Sequence, residues 1–203
     1  MDSAALFKIG YGLYVLTAND GIKDNGCIIN TLLQVTSSPT IINTITVSKQ
    51  NYTHEMIMNS KQFNVSILSV DVSFDVFKHF GFQSGKDADK LSGYNGVKRS
   101  ENGLIYLTES VNAYLSHKVT NTIDFGTHTM FVGEAVAGEI LSAGESVTYS
   151  YYHQHIKPKP SDSGQSKGYR CKICGYVYEG DSLPANFICP TCKHGASDFE
   201  KIL

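Results

Sequence analysis

Residues 113–142 read AYLSHKVTNTIDFGTHTMFVGEAVAGEILS. Val, Ile, Thr, Tyr and Phe dominate both ends, and Phe125-Gly126-Thr127-His128 interrupts them with a turn signal. Branched and aromatic residues suit a pleated surface, so the stretch predicts two antiparallel strands, Ala113 to Ile123 and His128 to Ser142. The same texture extends from Phe7 to about Ile156. Further strands are expected at Gly12 to Thr17, Cys27 to Thr36, Thr40 to Ser48, Phe63 to Leu68 and Leu104 to Leu107, with NDG and SSP as turns among them. Two segments read as helices. Asn51 to Ser60 opens on capping residues, and Asp71 to Phe80 sets Val72, Phe74, Val76, Phe77 and Phe80 near helical spacing. So many short strands in one stretch predict a mainly β fold closed into a barrel rather than a parallel sheet.

The chain has 203 residues, enough for one sizeable core and a small appendage. Between Lys157 and Gly168 the sequence KPKPSDSGQSKG contains no hydrophobic residue. It reads as a flexible linker spanning roughly 20 Å on average. The expected organisation is therefore residues 1–156 as the barrel, 157–168 as linker and 169–203 as a tail too small to bury a sufficient core without metal. A formal net charge of -2 with interspersed signs argues against a nucleic-acid partner and against a polybasic membrane patch. The opening MDSAALFKIGYGLYVL lacks a basic region and a cleavage site, and no apolar run is long enough for a membrane span, so a cytoplasmic location is expected.

Of five cysteines, four fall in the tail as Cys171-x-x-Cys174, fourteen intervening residues, and Cys189-x-x-Cys192. Two such knuckles complete a tetrahedral shell of four thiolates, which admits zinc or iron, and in a reducing compartment they hold metal rather than disulfides. His194 competes as a ligand, but four cysteines already fill the shell. The flanking residues discriminate further. YxCxxCGYVYEGD followed by LPxxFxCPxC, with Tyr169, Tyr176, Tyr178, Phe187 and Phe199, resembles rubredoxin, and the short spacing between knuckles resembles the tail domain of rubrerythrins. Such an aromatic shell keeps solvent from a redox iron, so iron is expected, with zinc as a substitute.

An iron with four thiolates has no open position and passes single electrons only. A two-electron organic donor then requires a cofactor that divides the pair, as flavin does. In TVSKQNYTHEMI a strand ends at Ser48-Lys49 and a helix opens near Asn51; its free amides, the Thr53 hydroxyl and the Lys49 ammonium suit a phosphate dianion, although Asn and Thr there also serve as ordinary caps. HFGFQSGKDADKL offers Ser84, Gly85, Lys86 and Lys90 in a loop that also reads as a solvated turn. Together with YGLYVLTANDG, NGCIINTLLQVTSSP and GTHTMFVGEAV, these stretches resemble the flavin reductase family with its FMN-binding split barrel, flavoredoxin included.

That resemblance implies FMN. It implies that Asn25, Cys27, Asn30 and Thr31 neighbour the ring or ribityl chain. It implies that Ser48, Lys49, Gln50, Asn51 and Thr53 hold the phosphate and ribityl end, with Ser84 and Lys90 from the second loop and His128 at the ring edge. Cys27 also reads as a small buried hydrophobe and His128 as a structural histidine. No catalytic acid or base is expected. With no GxGxxG fingerprint, NADH or NADPH would bind transiently as donor. A barrel joined to a rubredoxin-like tail resembles the high molecular weight rubredoxins of anaerobes, which implies a flavodiiron protein reducing dioxygen or nitric oxide as acceptor, and the split barrel implies a homodimer. Two other readings stand beside this one: a non-enzymatic barrel with a zinc tail that docks proteins, and a pure relay reduced by a separate reductase.

Overall fold

The computed structural model describes residues 5, 8–158, 168–172, 176–189 and 195–202. Cys174, Cys192, His194 and residues 159–167 of the expected linker lie outside them. The chain divides into two compact units, Met1–Lys157 and Pro158–Leu203.

In the first unit a seven-stranded antiparallel sheet is built from β1 (Tyr14–Asn19), β2 (Asp24–Ile29), β3 (Leu32–Thr36), β4 (Ile42–Ser48), β5 (Gln62–Leu68), β8 (Val111–Asp124) and β9 (His128–Ile140). Their spatial order is β2-β1-β5-β8-β9-β4-β3. A separate hairpin pairs β6 (Val97–Arg99) with β7 (Ile105–Leu107). The uninterrupted strand expected from Cys27 to Thr36 is broken at Asn30 and Thr31 into β2 and β3. These halves stand at opposite ends of the strand order, yet two residues join them. One bent strand thus ties the ends of the sheet together and curls it into the split barrel. The bend is anchored where the Thr31 hydroxyl donates to the Thr46 carbonyl at 2.9 Å and accepts the Thr46 N–H at 3.0 Å.

The sheet is covered on both faces, which explains why β1 is buried almost throughout: Val15 joins one core with Leu13, Leu68, Phe77 and Phe80, whereas Leu16 joins another with Ile45, Met56, Phe63 and Phe131. Helix α1 (Tyr52–Ser60) packs on the second core through Met56 and Ile57, and α2 (Phe74–Gly81) on the first through Val76, Phe77 and Phe80. A last helical segment over Tyr149–Tyr151 and Tyr152–Ile156 was not expected from the sequence. Thr148 caps it by accepting the Tyr151 N–H, and Tyr152 plugs the first core. No helix among the described residues is long and apolar enough to cross a membrane.

The tail unit holds a three-stranded sheet, β11 (Val177–Tyr178), β10 (Gly168–Cys171) and β12 (Phe199–Ile202), in the order β11-β10-β12.

Inside the barrel His117 is fully buried, stacked on Phe63 at 4.5 Å, with its Nε2–H donating to Asn43 Oδ1 at 3.0 Å. Burial pushes its pKa from 6.5 down to about 4. The unfolded chain therefore binds the proton first as pH falls. Stability from this group is complete above pH 6.5 and is lost as pH drops toward 4, by about 3 kcal/mol in all. A His117→Gln variant is expected to flatten the pH dependence of the urea midpoint over that window; an unchanged slope would refute the assignment.

Candidate flavin site and metal tail

The polar residues singled out from β2 and from the start of α1 meet. Asn51 caps α1, its side chain accepting the Thr53 N–H at 3.2 Å. Thr53 is fully buried, and its hydroxyl accepts from Asn25 Nδ2 at 2.9 Å. Two residues along β2, on the same face as Asn25, the Cys27 thiol has Thr53 and Asn51 as its polar neighbours. Burial outweighs their influence and pushes the thiol pKa up, so Cys27 remains a neutral thiol. Asn25 Oδ1 is buried and has no hydrogen-bond partner among the described residues. A buried acceptor left unpaired costs free energy, so its place beside a helix start marks a spot where a donor from a ligand belongs.

The second loop closes against this cluster. A Cβ on Gly85 would lie 2.3 Å from Asn25 Oδ1, so only glycine allows the loop to rest there. The Gly85 carbonyl accepts from Lys23 Nζ at 2.7 Å, and the Lys86 N–H donates to Ser84 Oγ at 3.1 Å. Lys23 and Lys86 sit 5.8 and 6.0 Å from the Tyr52 ring centroid, at the first residue of α1. Lys90 is placed differently from Ser84. It is 2% exposed, and its ammonium donates to the carbonyls of Gly26 and Phe80, each at 3.0 Å, which ties β2 to the end of α2. Burial lowers its pKa.

On the other side of α1, Ser48 pairs in register with His128 and Thr46 holds Thr31, with Asn30 half-buried just before it. The Gln50 N–H donates to Ser48 Oγ at 3.3 Å, and His128 is exposed, its Nδ1 2.9 Å from Thr127 Oγ1. Lys49 Nζ forms an ion pair with Asp124 at 2.7 Å. His54, whose pKa burial lowers, bonds Thr129 Oγ1 through Nε2 at 2.8 Å. Sequence reasoning missed Lys23, Asp124 and His54. Nothing in their spacing indicates that residues some 60 to 75 positions from their partners converge on one helix start.

In the tail, Cys171 and Cys189 are both buried and share a cluster with Phe199, flanked by Tyr169, Tyr176, Tyr178, Leu183 and Phe187. The Phe187 ring lies 4.7 Å from that of Tyr178 and 5.4 Å from that of Phe199. The Cys171 N–H donates to the Tyr176 carbonyl at 2.8 Å.

Comparison with known proteins agrees with this geometry. The flavin reductase like domain matches residues 6–159, and the rubrerythrin, rubredoxin-like domain matches residues 169–200. The high molecular weight rubredoxin of Moorella thermoacetica is 38% identical, with all of both chains aligned. The ferric-chelate reductase (NAD(P)H) of Archaeoglobus fulgidus is 37% identical over 78% of this chain and 93% of its own. Flavoredoxin from Methanosarcina acetivorans superposes with a TM-score of 0.58 at 24% identity, covering 64% of this chain and 69% of that one, which shows a shared fold.

The two matched domains imply a flavin and an iron, and the residues present fit both. The orphaned Asn25 acceptor, the Gly85 cradle and the ammoniums around α1 suit a polar ring with a phosphate. Two buried sulfurs in an aromatic shell suit a thiolate-bound metal. The chain belongs to the flavin reductase like family and is an oxidoreductase that carries a rubredoxin-like domain behind its flavin reductase unit.

Proposed function

We propose that the chain takes electrons from NADH or NADPH through FMN to an iron held by Cys171, Cys174, Cys189 and Cys192, and passes them to a redox protein. The flavodiiron reductase of dioxygen or nitric oxide implied by the family resemblance is our choice of acceptor. The observation that carries this reading is the presence on one chain of a flavin reductase unit with an unpaired buried acceptor beside a cationic helix start, and of a tail with paired buried thiols. FMN, when bound, converts a two-electron donation into single electrons, the only kind that a four-thiolate iron accepts. The rest falls to the chain's residues. Lys49, Gln50 and the first amides of α1 neutralise the phosphate, and Ser48 and Thr31 flank them. Asn25 Oδ1 accepts from the ring or ribityl chain, which Asn30 and His128 border. Cys27, held neutral, packs beneath without redox work. Ser84 shapes the loop over Asn25, while Lys90 braces β2 from inside rather than reaching the phosphate. The relative named for NAD(P)H supports the donor.

We also propose a homodimer. Leu33, Val35, Ile41, Val136 and Ile140 are 66, 55, 45, 53 and 81% exposed on β3, β9 and the turn before β4, and this gathering of exposed apolar side chains on the strands that flank β4 supports an interaction surface there. The paired copy fits the symmetric association typical of soluble oligomers.

One preparation tests the reading. Purified protein is expected to contain one iron and one FMN per chain, to sediment as a dimer of the 22.3 kDa chain, and to lose both its flavin and its ferric-thiolate absorption on anaerobic mixing with NADH or NADPH. Colourless protein loaded with zinc would overturn it. A flavin that stays oxidised with both nicotinamides would leave only the relay.

A further inference from the structure

Lys49 is not idle at the start of α1. Its ammonium is held by Asp124 at 2.7 Å, and the two side chains are 39% and 65% exposed. The two partners are fixed to different degrees. Asp124 is anchored in the turn between β8 and β9: its Oδ1 accepts the Gly126 N–H at 2.7 Å, and Gly126 adopts φ +79°. Around the same turn the Phe125 N–H donates to the His128 carbonyl at 2.9 Å and the Lys49 N–H to the Thr127 carbonyl at 3.0 Å. The Lys49 backbone is thereby tied to the turn, while its four-carbon stem remains free to swing. When a phosphate arrives at α1, the ammonium can turn to it but the carboxylate cannot leave.

We propose that Asp124 is an affinity-determining residue of the phosphate site, a fixed carboxylate that competes with the flavin's phosphate for Lys49 and shortens the flavin's residence. The inference rests on the reading that Lys49 holds the phosphate. Two effects act in one direction. The ion pair must be given up on binding, and the phosphate dianion then stands near a like charge that the turn holds in place. Riboflavin, with no phosphate, experiences neither.

The test uses the flavin-free full-length chain titrated with FMN and with riboflavin, followed by quenching of flavin fluorescence. Asp124→Asn keeps the oxygen that accepts from Gly126, so the turn persists; Asp124→Ser, also a turn former, provides a second variant. Both are expected to bind FMN about fivefold to tenfold more tightly at low salt, with the gain shrinking at high salt and riboflavin affinity unchanged. Weaker or unchanged FMN binding, or equal tightening of riboflavin, would overturn the proposal. Lys49→Met separates the two levels. It is expected to weaken FMN at least tenfold, and if FMN affinity does not move, the phosphate assignment itself fails and the competition with it.

Discussion

Replacing Cys189 by Ser is expected to empty the tail of metal and unfold it, while the barrel stays folded and keeps its flavin. Cys189 is fully buried and shares a cluster with Cys171 and Phe199, where the remaining hydrophobic residues, Tyr169, Tyr176, Tyr178, Leu183 and Phe187, are only partly buried. Such a core cannot offset the ordering entropy of the segment, and the metal contributes on the order of 10 kcal/mol in sites of this kind, comparable to the whole stability of an ordinary domain. A serine hydroxyl does not replace a thiolate in a four-sulfur shell. The barrel has two cores of its own in Met1–Lys157 and does not depend on that metal. The measurements are iron per chain, the ferric-thiolate band, and donor-driven flavin reduction beside electron delivery to a one-electron acceptor protein. Iron and delivery are expected to fall to background while flavin reduction persists. A variant that still delivered electrons would show that the tail is not the outlet.

How far the residues announce this arrangement differs between fold and site. The long pair β8 and β9 was legible because branched and aromatic residues recur to either side of Phe125-Gly126-Thr127-His128. Helix α1 was legible from Asn51 at its cap, and α2 from the spacing of Val76, Phe77 and Phe80. The break at Asn30 and Thr31 was not, because CIINTLLQV carries no glycine or proline; the kink arises from closing the sheet, a tertiary demand with no local signal. The hairpin strand Val97–Arg99 is too short to show a period, and so is the helical segment over Tyr149–Tyr151 and Tyr152–Ile156. In the site, residue types could be picked out but not their division of labour. Lys49 and Lys90 look alike in sequence, yet one ammonium stands at the surface beside Asp124 and the other is spent on two backbone carbonyls. For the four cysteines the spacing alone predicts a metal site and leaves zinc and iron open, and it is the flanking aromatics that point to iron.

Gly85→Val is expected to cost FMN affinity far more than it costs the fold. The new Cβ would stand 2.3 Å from Asn25 Oδ1 and 2.5 Å from both Cγ and Nδ2, distances that real contacts do not reach. Asn25 cannot retreat, since it is fully buried and its amide is bonded to Thr53 within α1. The loop must lift instead, which breaks the bond from Lys23 to the Gly85 carbonyl and moves Ser84 and Lys86 away from the helix start. Overpacking of this kind costs about 1 to 3 kcal/mol, and strain released by opening the site appears as roughly a fivefold to 150-fold weaker dissociation constant. Because the loop is largely exposed at Ser84, Lys86 and Asp87, and neither apolar core includes it, the melting temperature is expected to fall by only a few degrees. Gly10→Ala, at a position with nothing within 4 Å, serves as the control and should bind FMN as the parent does. Fluorescence titration beside a thermal melt decides the matter: if Gly85→Val binds FMN as tightly as the parent, the wall formed by Gly85 and Asn25 does not face the flavin, and the ring must be sought elsewhere on the barrel.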